Sequence, residues 1–401
     1  MNNYIHSHPY RLKDFIQFNP KEKLPKGAIA RKIAMEQLRP NNRYVESNIF
    51  EEFKGGSKFR NGDTIMARIT PCLENGKTAY ITSLNENELA FGSTEFIVFR
   101  EIKGKSNSKY IYYLLKTPQI RDIAIKSMVG SSGRQRVQQN VLENYEVLLP
   151  TLDRQIEIAD ILSSLDDKIE LNRRINENLE QQAQALFKSW FVDFEPFKDG
   201  KFVDSELGKI PEGWCVVEAS KFMKISKESI NPFKNPNRCY VHYSIPAFDD
   251  TALPVLQYGS EIKSNKLNVS DGMTLVSKLN PRIKRVWFID KACENSICST
   301  EFIPYKSLND CNYFLYCYLN SDIFYNTIMS FVNGATGSHQ RFQPNETLKF
   351  LFAYNEEVIK KFNSLVKNIL KYKYKLTIQN QTLSRLRDNL LPKLMSGEIN
   401  I

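Results

Sequence analysis

Residues 149–197 read LPTLDRQIEIADILSSLDDKIELNRRINENLEQQAQALFKSWFVDFEPF. Apolar residues recur there at steps of three and four: Leu162, Leu165, Ile169, then Leu179, Ala183, Leu186 and Trp190. That spacing is a helical stripe of nearly seven-residue period. Asn172 and Asn176 interrupt it at its centre, and Pro150 and Pro196 bracket it where helices start or stop. The stretch predicts one long helix, and its stripe needs a second helix to cover it.

Working outward, the chain before this helix is echoed by the chain after it. DTIMARITP (63–71) matches DGMTLVSKLNP (271–281), and STEF occurs at both Ser93–Phe96 and Ser299–Phe302. YIYYLL (110–115) matches YFLYCYL (313–319), and GSSGRQRVQ (130–138) matches GATGSHQRFQ (334–343). These matches keep one order and a nearly constant offset, so they mark an internal repeat. The helix repeats as well. Phe362, Ile369, Leu376, Leu383 and Leu390 fall every seven residues, with Leu365, Tyr372, Gln379 and Leu386 between them. Pro392 and Gly397 are expected to end it. Residues 153–188 carry eight acids and five bases, whereas residues 356–398 carry nine bases and four acids. Opposite charge favours pairing of the two helices with each other over self-pairing.

The fold expected is therefore α+β. Two globular mixed α/β domains (1–150 and 196–353) are separated by two long antiparallel helices (151–195 and 354–401) that form a coiled coil, with an internal pseudo-twofold repeat. Its seam is Leu162, Leu165, Ile169, Asn172, Asn176, Leu179, Ala183 and Leu186 against Phe362, Leu365, Ile369, Tyr372, Leu376, Leu383, Leu386 and Leu390.

Composition bounds the function. The chain has 401 residues, 42% hydrophobic and 12% aromatic content and a formal charge of +10, a folded and basic protein. No apolar run has the length of a membrane span and the first residues lack the apolar core of a signal peptide, so the expected location is cytoplasmic. Seven cysteines, an odd number at irregular spacing, suit a reducing compartment. Neither Cys293 with Cys298 nor Cys311 with Cys317 has the spacing of a zinc pair, and no metal is expected.

Catalytic patterns are weak. Asn231-Pro232-Phe233 falls short of a base-gripping methyltransferase motif. Asp250 with Glu261-Ile262-Lys263 only loosely fits a magnesium nuclease. No phosphate-binding GxxxxGK[ST] occurs, and Ser131, Ser132 and His339 lack identifiable catalytic partners. The glycine-containing loops, in contrast, suit DNA. Arginine and glutamine make paired contacts to guanine and adenine edges, and the loops carry Arg134, Gln135 and Arg136 in one half and His339, Gln340 and Arg341 in the other. Arg31, Lys32, Arg68, Lys278, Arg282 and Arg285 are candidates for holding phosphates. For each one singly, the bland reading is a solvated surface charge.

Three phrases add a family. LFKSWFVDF (186–194), LGKIPEGW (207–214) and LLPKLMSGEI (390–399) resemble the specificity (S) subunits of type I restriction-modification systems. The resemblance implies a non-catalytic DNA-recognition subunit. Each globular domain would be a target recognition domain reading one half of a bipartite, asymmetric site in double-stranded DNA. The helices would set the half-site distance and dock two methyltransferase (M) subunits, which methylate adenine. The chain itself would hold no cofactor: S-adenosylmethionine, ATP and magnesium belong to the M subunits and to the restriction (R) subunits. Trp214, Trp287 and the His339 loop occur in one half only, so the two half-sites are expected to differ. Competing readings are the recognition module of a fused methyltransferase-nuclease and a coiled-coil scaffold without a DNA role. DNA binding with and without a methyltransferase subunit separates them.

Overall fold

The computed structural model describes residues 9–40, 42–131, 133–331 and 340–399. The chain forms two compact units, Met1–Asn172 with Ile378–Ile401, and Arg173–Thr377. Each unit thus takes half of each long helix.

The first unit holds an antiparallel sheet of four strands in the order Ile16–Phe18, Phe96–Glu101, Thr64–Ala67, Thr78–Tyr80. A second sheet runs Phe50–Glu52, Ile29–Ile33, Ala90–Gly92, Ser57–Phe59, with its central pair parallel. Strand alternation explains how the layers stack. Met66, Ile97 and Phe99 face a core built on the helix Ser108–Lys116, while Ile65, Phe96 and Val98 face the other core with Ile33 and Phe59. Both faces are covered, which is why these strands read as continuous apolar runs.

The second unit repeats this plan. One sheet runs Met223–Ile225, Phe302–Ser307, Thr274–Ser277, Val286–Phe288. The other runs Ser229–Ile230, Lys266–Asn268, Ser296–Cys298, Cys239–Tyr243, Val255–Tyr258, again with a parallel pair at Cys239–Tyr243 and Ser296–Cys298 and one added edge strand. Even the register is kept. Ala67 lies opposite Phe96 and Thr64 opposite Phe99, as Ser277 lies opposite Phe302 and Thr274 opposite Tyr305.

The long helices are Leu152–Phe191 and Glu356–Ser396. The first begins just after Pro150 and Thr151 but stops five residues short of Pro196. Pro392 does not end the second, contrary to expectation: it lies inside the helix, exposed in the last turns, and Gly397 at φ +74° follows the helix end instead. So near a terminus, the carbonyl that a proline deprives of its donor can face water.

Within each unit the two helices face each other antiparallel. In the first, Arg387 Nη1 donates to Asp166 Oδ1 at 2.5 Å, and Asn172 Nδ2 donates to Gln379 Oε1 at 2.9 Å and Asn380 Oδ1 at 2.8 Å. Ile158 and Leu162 join one core with Leu391 and Leu394. In the second, Asn176 Nδ2 donates to Thr377 Oγ1 at 3.2 Å, Lys373 Nζ to Glu180 Oε2 at 2.5 Å, and the Phe187 and Phe362 rings meet edge to face at 6.0 Å.

The seam differs from the expected one in alternate rows. Leu162, Ala183, Phe362 and Leu376 are buried, and Ile169, Asn176 and Leu383 are partly buried. Asn172 is also buried. But Leu365, Tyr372 and Leu386 are 47%, 48% and 45% exposed, and their rows belong to Val366, Lys373 and Arg387, one residue later. Leu165, Leu179, Leu186, Ile369 and Leu390 are partly buried like Ile169, and the neighbouring Asp166, Phe187, Leu370 and Leu391 are more buried still. A leucine beside a charged residue wins any hydrophobicity count, yet a charge can occupy the seam when an opposite charge faces it.

The phrase LFKSWFVDF is an aromatic box in the second unit. Phe187 and Phe191 are buried against Phe314, Phe352 and Phe362, and Trp214 closes on Phe191, Phe194 and Phe197. Each such side chain contributes roughly 1.5–3 kcal/mol of burial.

Candidate nucleic-acid interface

In each unit three separated pieces of sequence converge at the end of one central strand. The first is the strand's continuation, Arg68 to Thr70 after Thr64–Ala67 and Lys278 to Asn280 after Thr274–Ser277. The second is STEF, whose phenylalanine starts the neighbouring strand. The third is the Gln-Arg pair. Glu95 O accepts from Arg68 N and Glu301 O accepts from Lys278 N, both at 2.9 Å. Gln135 O accepts from Thr70 N at 3.0 Å, and Gln340 O accepts from Asn280 N at 2.9 Å. Arg136 bridges to Ile69 and Arg341 to Leu279.

The loop before Arg136 closes because Val129 and Arg136 exchange both backbone hydrogen bonds at 3.0 Å. Gly130, at φ +141°, has to be glycine: a Cβ there would sit 2.9 Å from Arg134 O and 3.2 Å from Gln135 Cα. The corresponding residues 332–339, including His339, lie outside the described residues.

The side chains follow the same plan twice. Arg136 Nε lies 2.9 and 3.0 Å from the two carboxylate oxygens of Glu95, and its Nη2 donates to Oε1 at 2.7 Å. Arg341 Nε donates to Glu301 Oε2 at 3.1 Å and its Nη2 to Oε1 at 3.2 Å. Hydrogen bonding to these carboxylates holds both guanidinium groups above their ordinary pKa.

The remaining candidates divide. Arg134 and Arg282 are exposed, and Gln135, Arg68 and Lys278 are partly buried at the same strand end or loop. Arg68 Nη2 donates to Val137 O at 3.4 Å, and Gln340 is buried. Lys32 pairs with Glu51 at 2.8 Å on the other sheet. Arg31 and Arg285 depart from the expectation of open phosphate contacts. Arg31 is engaged by Glu88 at 2.8 Å and by Ser47 O at 2.6 Å, and Arg285 is buried with its fork on Asp249 at 2.6 and 2.8 Å. A basic residue on a strand shows its charge in the sequence but not the carboxylate that the fold brings to it.

Sequence reasoning missed Glu95 and Glu301 as partners and the exposed Thr94 and Thr300 beside them. The signal was present. STEF is identical in the two halves, and burial requires only its phenylalanine, Phe96 or Phe302.

Among the described residues no group of three or more His, Cys, Asp or Glu gathers as a metal site, and no helix is long and apolar enough to cross a membrane. Asn231 caps the short turn at Pro232–Lys234, and Glu261 Oε2 accepts from Tyr258 N at 3.0 Å.

Residues 6–181 match a family model described as the type I restriction modification DNA specificity domain. The type I restriction enzyme MjaIX specificity subunit of Methanocaldococcus jannaschii is 29% identical over 325 residues, spanning 76% of this chain and 72% of that protein. The HindI specificity subunit of Haemophilus influenzae is 24% identical over 430 residues, spanning 90% and 92%. The crystal structure of a type I restriction-modification S subunit from M. genitalium shares the fold, with a TM-score of 0.55 at 15% identity over 98% of this chain and 97% of that one.

Proposed function

We propose that this chain is a type I restriction-modification specificity subunit, a reading supported by its likeness to that family over residues 6–181 and to the MjaIX and HindI subunits, and that each unit reads one half of a bipartite, asymmetric site in double-stranded DNA. The observation that carries the reading is the duplicated strand end with its arginine, glutamine and glutamate, built once per unit on the same sheet topology. Arg136 and Arg341 supply base contacts; Arg134, Arg68, Lys278 and Arg282 supply phosphate contacts, which position without specifying. The sequences of the two loops differ, Arg134 preceding Gln135-Arg136 in one half and His339 preceding Gln340-Arg341 in the other, and this makes the two half-sites different.

The chain is non-catalytic in this reading. Two M subunits bring S-adenosylmethionine and methylate an adenine in each half-site, while R subunits bring ATP, magnesium, translocation and cleavage. The helices Leu152–Phe191 and Glu356–Ser396 act as a coiled-coil spacer and as the M-subunit dock. Support for the spacer role comes from the antiparallel pairing seen in each unit and from the polar seam residues Asn172, Asn176 and Asn380, since such residues fix register.

Co-expression with a methyltransferase subunit, followed by mapping of methylated adenines, tests the proposal. A bipartite motif with unlike halves is expected; a contiguous motif or none overturns it. Removing one heptad from each helix at facing positions, 170–176 and 376–382, shortens the pair by roughly 10 Å. The spacer should then shrink by about three base pairs, at 3.4 Å each, or DNA binding should be lost. An unchanged spacer ends the ruler role.

A further inference from the structure

The Arg136–Glu95 and Arg341–Glu301 pairs lie on the surface, where ion pairs add little to folding. They are nevertheless built twice, in the same way, at the same strand end. Both partners are held by backbone. Ser93 Oγ accepts from Glu95 N at 3.1 Å and Ser299 Oγ from Glu301 N at 3.3 Å. Phe96 and Phe302 anchor the next residue in the core, and each arginine is fixed by its bridge to Ile69 or Leu279.

The edge that each carboxylate takes decides what remains. A guanidinium carries five N–H bonds in a planar fork. Glu95 and Glu301 occupy Nε–H and one Nη2–H. Left over are the second Nη2–H and both hydrogens of Nη1, at the tip of the side chain. A tip presenting two parallel donors matches the O6 and N7 acceptors of guanine in the major groove. Adenine meets it badly, because its N6 amino group is itself a donor. The carboxylate also keeps the arginine from turning toward a neighbouring phosphate.

We propose that Glu95 and Glu301 are positioning residues for sequence reading, which set Arg136 and Arg341 tip-outward so that each half-site contains a guanine read by its unit. This rests on the half-site reading above and adds the base class and the residues that impose it. The glutamate acts through the arginine and does not itself touch the DNA.

The test uses the full chain co-expressed with its methyltransferase subunit. Methylated adenines are mapped first for the unaltered complex. Binding is then measured to duplexes carrying each single-base change in the mapped motif, for Arg136→Ala, Glu95→Ala, Glu95→Gln and the double variant Glu95→Ala/Arg136→Ala, and for the matching set at Arg341 and Glu301. A G·C pair is expected in each half. Arg136→Ala should lose about five- to 150-fold in discrimination, the worth of one bidentate base contact, at that pair in one half only. Glu95→Ala and Glu95→Gln should relax the same pair by less. The double variant should match Arg136→Ala, because two groups acting as one unit are not additive. Three results overturn the proposal. The first is a Glu95→Ala variant that keeps its discrimination at every position. The second is relaxation at a different base pair, which makes the glutamate a direct reader of a cytosine amino group. The third is an Arg136→Ala variant that weakens all sequences equally and lowers the salt dependence by about one counterion, the mark of a phosphate contact. A map of the unaltered complex without two half-sites overturns the half-site reading itself, before any variant is compared.

Discussion

Asp166 and Arg387 meet in the first unit with 3% and 6% of their side chains exposed; Glu95 and Arg136, in the same unit, meet with 23% and 44% exposed. The chemistry is one carboxylate and one guanidinium in both places, and the surroundings give it opposite uses. Around Asp166 every donor is internal. Tyr113 donates to it at 2.6 Å and Arg387 at 2.5 Å, and burial works against the Arg387 charge while Asp166 more than restores it. Around Glu95 water competes for every bond, so the pair orients its arginine without holding the fold together. In the second unit the contrast is weaker, because Lys373 and Glu180 keep 29% and 22% of their side chains exposed. Glu180 receives Lys373 at 2.5 Å, Tyr316 at 2.6 Å and Asn320 at 2.5 Å in the helical seam, and Glu301 receives Arg341 at the surface.

The seam pairs also encode which helices pair. Asp166 and Glu180 lie two heptads apart on one helix, Lys373 and Arg387 two heptads apart on the other. Two copies of the acidic helix, set antiparallel about residue 173, would bring Asp166 against Glu180. Two copies of the basic helix would bring Lys373 against Arg387. Like charges so placed penalise both self-pairings.

The largest expected effect follows from breaking the most buried pair. Arg387→Ala leaves Asp166 charged in the interior without its guanidinium, the Tyr113 hydroxyl still donating to it, at a cost of about 3–5 kcal/mol. Replacing both ions by apolar residues, Asp166→Leu with Arg387→Met, should cost clearly less, since no uncompensated charge remains. Urea denaturation followed in the first unit checks the order. Equal losses for the single and the double variant would show that the layer acts by packing and not by charge.

Next in size is the seam pair of the second unit. Lys373→Met keeps the stem and removes the charge, while Glu180 keeps Tyr316 and Asn320 as donors. The expected loss is about 1–2 kcal/mol. A loss as large as that of Arg387→Ala would mean that the residual donors do not compensate.

The same carboxylate predicts a smaller, pH-dependent effect. Burial pushes the Glu180 pKa up, but Lys373 and the hydroxyl of Tyr316 push it further down, so it sits below its ordinary value. A depressed folded pKa makes the carboxylate stabilising at neutral pH; that contribution fades as the pH falls below the ordinary carboxylate range, through the folded value. Glu180→Gln should therefore destabilise at pH 7 and flatten the acid side of the stability profile of the second unit. A variant profile parallel to the original from about pH 7 to about pH 3 would remove Glu180 as its source.

These contrasts explain what could be read in advance. Period and repeat are local properties, so the long helices, the two-fold plan of the chain and the family phrases were legible from residues 149–197 outward. The rows at Lys373 and Arg387 were not, because hydrophobicity ranks Leu386 above its charged neighbour and cannot see Asp166 on another helix. Arg136 and Arg341 were legible as candidates because arginine in a glycine loop stands out. Their partners were not, since Glu95 lies 41 residues away and only the sheet brings it near. Arg31 and Arg285 show the converse: their carboxylates, Glu88 and Asp249, are equally remote in sequence and withdraw them from the surface.

The smallest expected effect is the sharpest test of the contrast. Glu95→Gln and Glu301→Gln keep size and one acceptor oxygen while removing the charge. Because both arginines stay solvated, the melting midpoint should be unchanged at low salt and at high salt alike. Their DNA discrimination should fall nonetheless, at one pair in one half-site for each variant. Stability and reading would then come apart at the exposed pairs, whereas Arg387→Ala lowers stability whether or not DNA is present. If Glu95→Gln instead lowers the midpoint and salt restores nothing, the surface pair is a fold element like the buried one. Arg136 would then lose its reason to be held tip-outward.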